Sequence, residues 1–133
     1  LYTTETDLDS GAGLVGVRDA ATFAKRAEWP TQGIDAHQLI WDRRPGPPAL
    51  IVANGGVATR PETGRVKLDL DRMDASLVRL DARGGELLGQ WRLDDRRLSL
   101  RHLAWARGER PLLGIALQAE HPLADERAAA PVL

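Results

Sequence analysis

Short apolar runs separated by polar turns dominate this chain. In "LLGQWRL", residues 87–93, two sets of side chains alternate. The odd-numbered positions carry Leu, Gly, Trp and Leu, and the more polar even-numbered positions carry Leu, Gln and Arg. A period of two is typical of a strand with one better-buried face. About nine runs of this kind, each of roughly five to seven residues, are separated by Gly-, Pro- and Asp-rich turns such as "RRPGPP". The pattern predicts an all-β protein.

One segment also fits a helix. From Asp71 onward, Met73, Leu77 and Leu80 fall at positions i, i+4 and i+7 of a helical face. The part that begins at Ser76, however, aligns with an earlier segment that lacks this spacing. We therefore predict a strand there.

Two stretches of the chain share the same order of landmarks. In "LVGVRDAATFAKRAEW", residues 14–29, and "SLVRLDARGGELLGQW", residues 76–91, an apolar run leads through Asp-Ala to a Trp. A segment with His and then Trp follows each stretch, "AHQLIW" and "RHLAW", and another apolar run comes after it. We therefore expect two repeat units, over residues 14–54 and 76–118.

Short strands repeated in a fixed order predict blades of four antiparallel strands around an axis. The expected architecture of residues 1–133 is a partial β-propeller of about two blades plus flanking strands. The repeat is longer than the usual ~40 to 50 residues, and the surplus lies in a mostly polar loop at residues 55–75. Loops of that length inside a compact domain are often functional.

Composition excludes several classes of protein. A chain of 133 residues with 43% hydrophobic residues is long and apolar enough for one domain with a core. Its 18 basic and 19 acidic residues give a net charge of -1, so the electrostatic footprint of a nucleic-acid binder is missing and we expect no nucleic-acid partner. No apolar run approaches the ~20 residues that span a bilayer.

No cofactor and no metal are predicted. "GAGLVG", residues 11–16, matches the dinucleotide fingerprint, but an acidic turn precedes it where that fingerprint requires a strand, and a strand follows it in place of the helix. The chain has no cysteine, so thiolate metal sites and disulfides are excluded. We expect the two histidines His37 and His102 to lie on different blades, and we found no carboxylate at ligand spacing beside either.

The segments "LYTTETD", "GLVGVRDA", "GIDAHQLI" and "IVANGGVATRPETGRVKLDLDRMDASLVRLDA", followed by "LSLRHLAW", resemble consecutive segments of domain-of-unknown-function family 1513. This resemblance extends from Leu1 to about Gln118. It implies a seven-bladed-propeller-like protein exported to the periplasm, of which the chain would be a fragment. Two positions depart from the family pattern, Thr6 in "TET" and Arg60 in "TRP". The resemblance carries no activity with it.

The predicted site combines polar and basic residues near the ends of the first strands of the blades. Its predicted binding residues are His37, Asn54, Arg101 and His102, with Arg65 and Lys67 of the long loop closing over them. The sequence favours a binding module over an enzyme. We expect the partner to be an unknown small ligand or a periplasmic protein.

Two other functions stay open. "AHQL" and "RHLAW" are similar to segments of propeller lactonases, which implies that a His activates water while an Arg holds a carboxylate or the developing oxyanion. The matching residues are His37, Arg101 and His102. A structural subunit of a periplasmic complex is the other alternative. For His102 itself, the alternative to a ligand-facing role is that it bonds to the backbone of the neighbouring blade and fixes the spacing of the blades.

The repeat makes structural predictions. Trp29 and Trp91 should hold equivalent, largely buried positions on the outer strands of adjacent blades. His37 and His102 should lie on the same side, near the axis. Because a partial propeller leaves strand edges unpaired, we also expect exposed apolar edges near Leu1 and along residues 112–117, and an isolated chain that is not a cooperative monomer.

Overall fold

The computed structural model describes residues 1–59, 66–123, 125 and 133. Strand accounts for 54% of it. The strands, in chain order, are β1 (Tyr2–Thr6), β2 (Ala12–Arg18), β3 (Lys25–Ile34), β4 (Ala36–Trp41), β5 (Ala49–Asn54), β6 (Ala58–Thr59), β7 (Lys67–Leu68), β8 (Ser76–Asp81), β9 (Leu87–Trp91), β10 (Leu98–Trp105) and β11 (Leu113–Ala119). The prediction of an all-β fold is confirmed.

Every strand pairing in the described part of the chain is antiparallel. β1, β2 and β3 form the first sheet, β4, β5, β8 and β9 form the second, and β10 and β11 form the third. β6 and β7 pair as a small separate hairpin. The sheets follow chain order and none is closed, an arrangement compatible with a partial propeller in which each sheet is one blade.

The second sheet lies between the other two, and its strand β5 is buried along its whole length. Successive side chains of a strand point to opposite faces. Leu50 and Val52 accordingly belong to the core cluster shared with Val15 of the first sheet. Ile51 and Ala53 belong to the cluster that contains apolar side chains of β10 and β11. This two-sided burial explains why "ALIVAN" reads as a continuous apolar run.

The strand register follows the alignment of the two stretches at their tryptophans. Trp29 on β3 pairs with Val15 on β2, and Trp91 on β9 pairs with Leu77 on β8. The paired residues are thus the ones that the sequence comparison made equivalent. The stretch from Ser76 is a strand with alternating burial, as predicted, and only a 3₁₀ turn over Leu70–Arg72 precedes it.

One turn geometry occurs three times in the described residues, beginning at Asp7, Asp19 and Asp81. In each turn, Asp Oδ1 accepts hydrogen bonds of 2.7–3.0 Å from the backbone N–H groups two and three residues later. The residue four positions after the Asp donates its N–H to the Asp carbonyl oxygen and has a positive φ. Glycine suits that conformation, but the second turn places Phe23 there with φ 58°. The turns close the hairpins β1–β2, β2–β3 and β8–β9.

Trp29 and Trp91 are equivalent in register but differ in burial. Both lie on the last strand of their sheets, as predicted. The Trp29 ring packs on Tyr2, with ring centroids 5.8 Å apart, and lies so close to Gly85 of the second sheet that a Cβ there would overlap it. Trp91 is 50% exposed, so the prediction that it is largely buried is wrong. Trp29 is covered by the β8–β9 turn of the next sheet. The third sheet has two strands in the described residues, and these supply no equivalent turn over Trp91.

Candidate functional site

His37 and Arg101 hold equivalent positions in the first strands of the second and third sheets. In β4 the register with β5 shifts at His37, and in β10 the register with β11 shifts at Arg101. Each is therefore the extra residue of a β-bulge, a device that re-aims a side chain and often lies beside a site. Trp41 and Trp105 each follow four residues later and end these strands. The structural equivalent of His37 is thus Arg101, and His102 lies one position further along.

Gln38 holds the two first strands together. Its amide nitrogen donates to the Leu103 carbonyl oxygen at 3.3 Å, and its amide oxygen accepts from the Leu103 N–H at 2.7 Å. The Trp105 indole N–H also donates across the gap, to the Trp41 carbonyl oxygen at 2.8 Å. Because an unpaired buried backbone group is costly, the amide of Gln38 does for β10 what another strand would do. Gln38 and Trp105, and not a histidine, therefore make these hydrogen bonds between the second and third sheets.

Arg101 connects two carboxylates. Its Nη1 donates to Asp35 Oδ2 at 2.8 Å, and its Nη2 lies 3.7 Å from Glu120 Oε1. The guanidinium side chain is 14% exposed, that of Asp35 is 22% exposed and that of Glu120 is 5% exposed. Arg101 Nε is buried and has no hydrogen-bond acceptor among the described residues. Opposite charges therefore lie side by side in a half-buried setting, where ion pairs are stronger than on the surface.

Glycine at position 55 allows this arrangement. Gly55 donates its N–H to the Asp35 carbonyl oxygen at 2.7 Å, and a Cβ at Gly55 would overlap the Asp35 carboxylate. Asp35 itself has φ 56°, a left-handed conformation that Asp and Asn adopt more readily than most residues. Ser99 donates its hydroxyl to the Gly55 carbonyl oxygen at 2.7 Å. The "ANGG" turn thus places the Asp35 carboxylate against β10.

The long segment at residues 55–75 contributes a second pair of charges. Lys67, on β7, places its Nζ 2.7 Å and 2.6 Å from the two carboxylate oxygens of Glu120, at the end of β11. Buried Val57 and Met73 anchor the two ends of the segment. Arg60 and the predicted site residue Arg65 lie outside the described residues.

A pocket of about 500 Å³ lies where these elements meet. Its walls come from the end of β1, the turn after it, the start of β4, the β6–β7 hairpin, and β10 and β11. The lining residues are Thr6, Leu8, Asp35, Ala36, His37, Val57, Thr59, Lys67, Arg101 and Gln118. Three of the six residues that the sequence predicts for the site, His37, Lys67 and Arg101, thus line one pocket.

The two histidines contact each other. The ring centroids of His37 and His102 are 5.0 Å apart and the rings are nearly perpendicular, at 87°. The prediction that they lie on the same side is confirmed. His37 is half-buried and lines the pocket, whereas His102 is exposed and is not among the lining residues.

Asn54 has a structural environment. It is fully buried, and its amide nitrogen donates to the Thr31 carbonyl oxygen at 2.9 Å and to the Ser76 hydroxyl at 3.1 Å. The missing Cβ of Gly33 leaves room for the Asn54 side chain. Asn54 therefore joins the first and second sheets beneath the pocket, and it does not line the pocket.

Sequence reasoning missed Asp35, Glu120 and Gln118. Asp35 stands only two residues before His37, and this spacing on a strand was an available signal for a shared face. Glu120 and Gln118 follow an apolar run, and nothing in the sequence links them to Arg101 or Lys67. Only the packing of the third sheet against the second brings these residues together.

The described residues contain no group of three or more His, Cys, Asp or Glu side chains that could hold a metal ion. Within the same residues, no helix has the length and apolar character needed to cross a membrane. The residues that line the pocket are polar or charged in the main, so its chemistry is that of hydrogen bonds and ion pairs.

Fold and site together define an all-β protein of face-packed antiparallel sheets with a polar pocket between the ends of their strands. The chain belongs to the family described as protein of unknown function (DUF1513), whose family model matches residues 1–133, the whole chain. Comparison with curated proteins gives no match, and comparison with solved structures gives none either.

Proposed function

We propose that the protein is a binding module that takes a small polar ligand in the pocket lined by His37, Lys67 and Arg101. The observation that supports the proposal is that residues from three separate elements, β4, the long segment and β10, line the same pocket of about 500 Å³. Ligand pockets generally have volumes of roughly 300–1,000 Å³. A periplasmic location, which the family resemblance implies, belongs to the same proposal.

The pocket supports this function better than the apolar groove elsewhere on the described surface does. A second concavity of about 220 Å³ is lined by Arg44, Ile51, Leu77, Trp91, Trp105, Pro111 and Leu113. Apart from Arg44, all of these side chains are apolar or aromatic, so this groove offers few groups that fix the orientation of a small molecule. Orientation requires a few convergent polar groups, and the first pocket has them.

Blocking the pocket tests the proposal. Thr59 lines it and is exposed, so Thr59→Trp places an indole in the opening. Ala21→Trp is the matched control, because it adds the same indole to the exposed turn at the other end of β2. A library of polar small molecules is screened by thermal shift. We expect hits that stabilise the wild-type protein and Ala21→Trp but not Thr59→Trp. Hits that stabilise all three proteins equally, or no hits, would contradict the proposal.

Hydrolysis of a lactone is the competing hypothesis, favoured by the presence of His37 and Arg101 in the same pocket. A base and an electrostatic stabiliser must converge on one reacting group. Release of acid from a δ-lactone at constant pH measures this activity directly. Turnover that His37→Gln abolishes would assign an enzyme, whereas binding without turnover supports the binding module.

A structural role in a complex is the remaining alternative. The apolar groove beside Trp91 and Trp105 is the feature that favours it, since exposed apolar surface often marks a protein contact. Trp91→Ser tests this role, because it removes exposed apolar surface without touching the polar pocket. Loss of co-purifying partners with unchanged ligand binding would support docking at the groove.

A further inference from the structure

Two ion pairs lie at the pocket among the described residues. Arg101 and Asp35 form one pair at 2.8 Å, and Lys67 and Glu120 form another at 2.6 Å. Three of these four residues, Asp35, Lys67 and Arg101, line the pocket, while Glu120 is 5% exposed and lies behind them. A ligand therefore meets both signs of charge within one small space.

From this arrangement we infer that the ligand is zwitterionic, an α-amino acid or the end of a short peptide. This inference rests on the proposed function. The ammonium and carboxylate of an α-amino acid are separated by one carbon, so the two groups lie about as close together as those of Asp35 and Arg101. Such a ligand lies across the pair with its carboxylate toward Arg101 and its ammonium toward Asp35. Each end then forms a charge-assisted hydrogen bond.

Arg101 has the donors that this arrangement requires. A guanidinium carries five N–H donors in a fork that matches a carboxylate. Nη1 makes a hydrogen bond of 2.8 Å to Asp35, whereas Nη2 is 3.7 Å from Glu120, beyond hydrogen-bond distance. Because the Arg101 guanidinium has more N–H donors than acceptors near it, it favours a carboxylate ligand over a neutral one. Lys67 adds a second cation at the same wall.

The rest of the lining fits the side chain of a small or medium amino acid. Thr6, Thr59 and Gln118 offer hydroxyl and amide groups, which both donate and accept. Leu8, Ala36 and Val57 offer apolar contact at intervals between them. The volume of about 500 Å³ admits an amino acid or a dipeptide.

Three probes with one carbon skeleton separate the contributions. L-Glutamine carries both charges, N-acetyl-L-glutamine lacks the ammonium and L-glutaminamide lacks the carboxylate. Isothermal titration of the purified protein should give L-glutamine at least about tenfold tighter binding than either derivative, the effect expected for one charge-assisted hydrogen bond. Glycyl-L-glutamine distinguishes the source: a peptide that binds more tightly than the free amino acid assigns the site to peptides.

Asp35→Asn is the decisive variant. Asn tolerates the left-handed φ of 56° at this position, so the backbone is preserved while the negative charge is lost. We expect L-glutamine to bind about tenfold more weakly or worse, with little loss for N-acetyl-L-glutamine. Asp94→Asn, which removes an exposed carboxylate elsewhere, is the matched control and should bind all probes as the wild type does.

Lys67→Met supplies a second variant with its own control. It should weaken L-glutamine and N-acetyl-L-glutamine together, because both retain the carboxylate. Lys25→Met removes the chain's other lysine, which pairs with Glu5 on the first sheet, and should leave the binding of all probes unchanged. The thermal unfolding of each variant shows that it is folded.

The outcomes separate this inference from the proposed function. If a derivative lacking one charge binds as tightly as L-glutamine, the zwitterion inference is wrong and the binding function stands. The same holds if library hits stabilise the protein in the pocket but none of the glutamine probes binds. If neither the library nor the probes reach the pocket, both proposals are wrong.

Discussion

The connections β1–β2 and β5–β8 are equivalent in the repeat, yet they differ in length, packing and chemistry. The first, residues 7–11, is a tight turn with the same hydrogen bonds as the turns at Asp19 and Asp81. The second, residues 55–75, contains its own hairpin and contributes Val57, Thr59 and Lys67 to the pocket. The short connection therefore keeps the turn geometry of the repeat. The long connection departs from the repeat and contributes polar residues to the pocket.

The carboxylates of the repeated turns and the carboxylate at the pocket also serve different purposes. At Asp19 the backbone N–H of Thr22, assisted by Arg26 and the N–H of Ala21, lowers the pKa of the carboxyl to about 2. The pKa of Asp81 is lowered as well, first by the backbone N–H of Arg83. These carboxylates satisfy backbone donors of their own turn. Asp35, by contrast, reaches a side chain on another sheet.

The largest effect should come from the glycines of the two connections. Gly56 and Gly11 both have a positive φ, 73° and 75°. A Cβ at Gly56 would overlap the backbone of Ala75, whereas a Cβ at Gly11 meets nothing within 4 Å. We expect Gly56→Ala to lower the free energy of unfolding by about 3 kcal/mol or more and Gly11→Ala by about 1–2 kcal/mol.

Chemical denaturation of the two alanine variants measures both values. Equal losses at Gly56 and Gly11 would show that the two ends of the long segment, at Gly56 and Ala75, are packed no more closely than the short turn is. The contrast between the two connections would then rest on length alone.

A smaller effect should come from Gln38. Gln38→Ala leaves the N–H and carbonyl of Leu103 without their partner, so we expect a loss of about 1–3 kcal/mol in the free energy of unfolding. Gln118→Ala is the matched control: Gln118 is exposed and lines the pocket, and its loss should change stability by less than about 0.5 kcal/mol. The reverse order would show that the first strands are joined by other contacts.

The smallest effect should be the acid sensitivity of the repeated turn. Because folding lowers the pKa of Asp19 from 3.8 to about 2, the carboxylate contributes stability above pH 3.8 that is lost as the pH falls toward 2. Asp19→Asn retains an oxygen acceptor but does not titrate. Its melting temperature should therefore fall less between pH 4 and pH 2 than that of the wild type. An identical fall in both proteins would exclude a contribution from this turn.

Much of the fold was predictable because the repeat depends on residues close together in sequence. Asp19 and Asp81 begin the same turn, and Trp29 and Trp91 then pair in the same register, so alignment of the two stretches was enough. The burial of Trp91 was not predictable, since it depends on a neighbouring sheet. The apolar run at residues 49–54 gave a buried strand directly.

The site was predictable only in part. His37 and Arg101 stood out as polar residues in apolar strands, and both line the pocket. Their bulges depend on hydrogen-bond register across two strands, which no residue type in β4 or β10 specifies. The sequence predicts Asn54 as a site residue because it ends a buried strand, but its partners Thr31 and Ser76 show that the amide joins two sheets. Glu120 escaped notice because its partner Lys67 is far away in sequence.

Chemical-shift mapping of the binding position tests the central claim most directly. A small molecule that stabilises the protein is titrated into labelled protein, with the His37 ring and the Gln118 side-chain amide as reporters of the polar pocket. The indole N–H groups of Trp91 and Trp105 report on the apolar groove. We predict shifts at His37 and Gln118 and unchanged indole resonances. Shifts confined to the indoles would contradict the claim, because they would place binding in the apolar groove and not in the polar pocket.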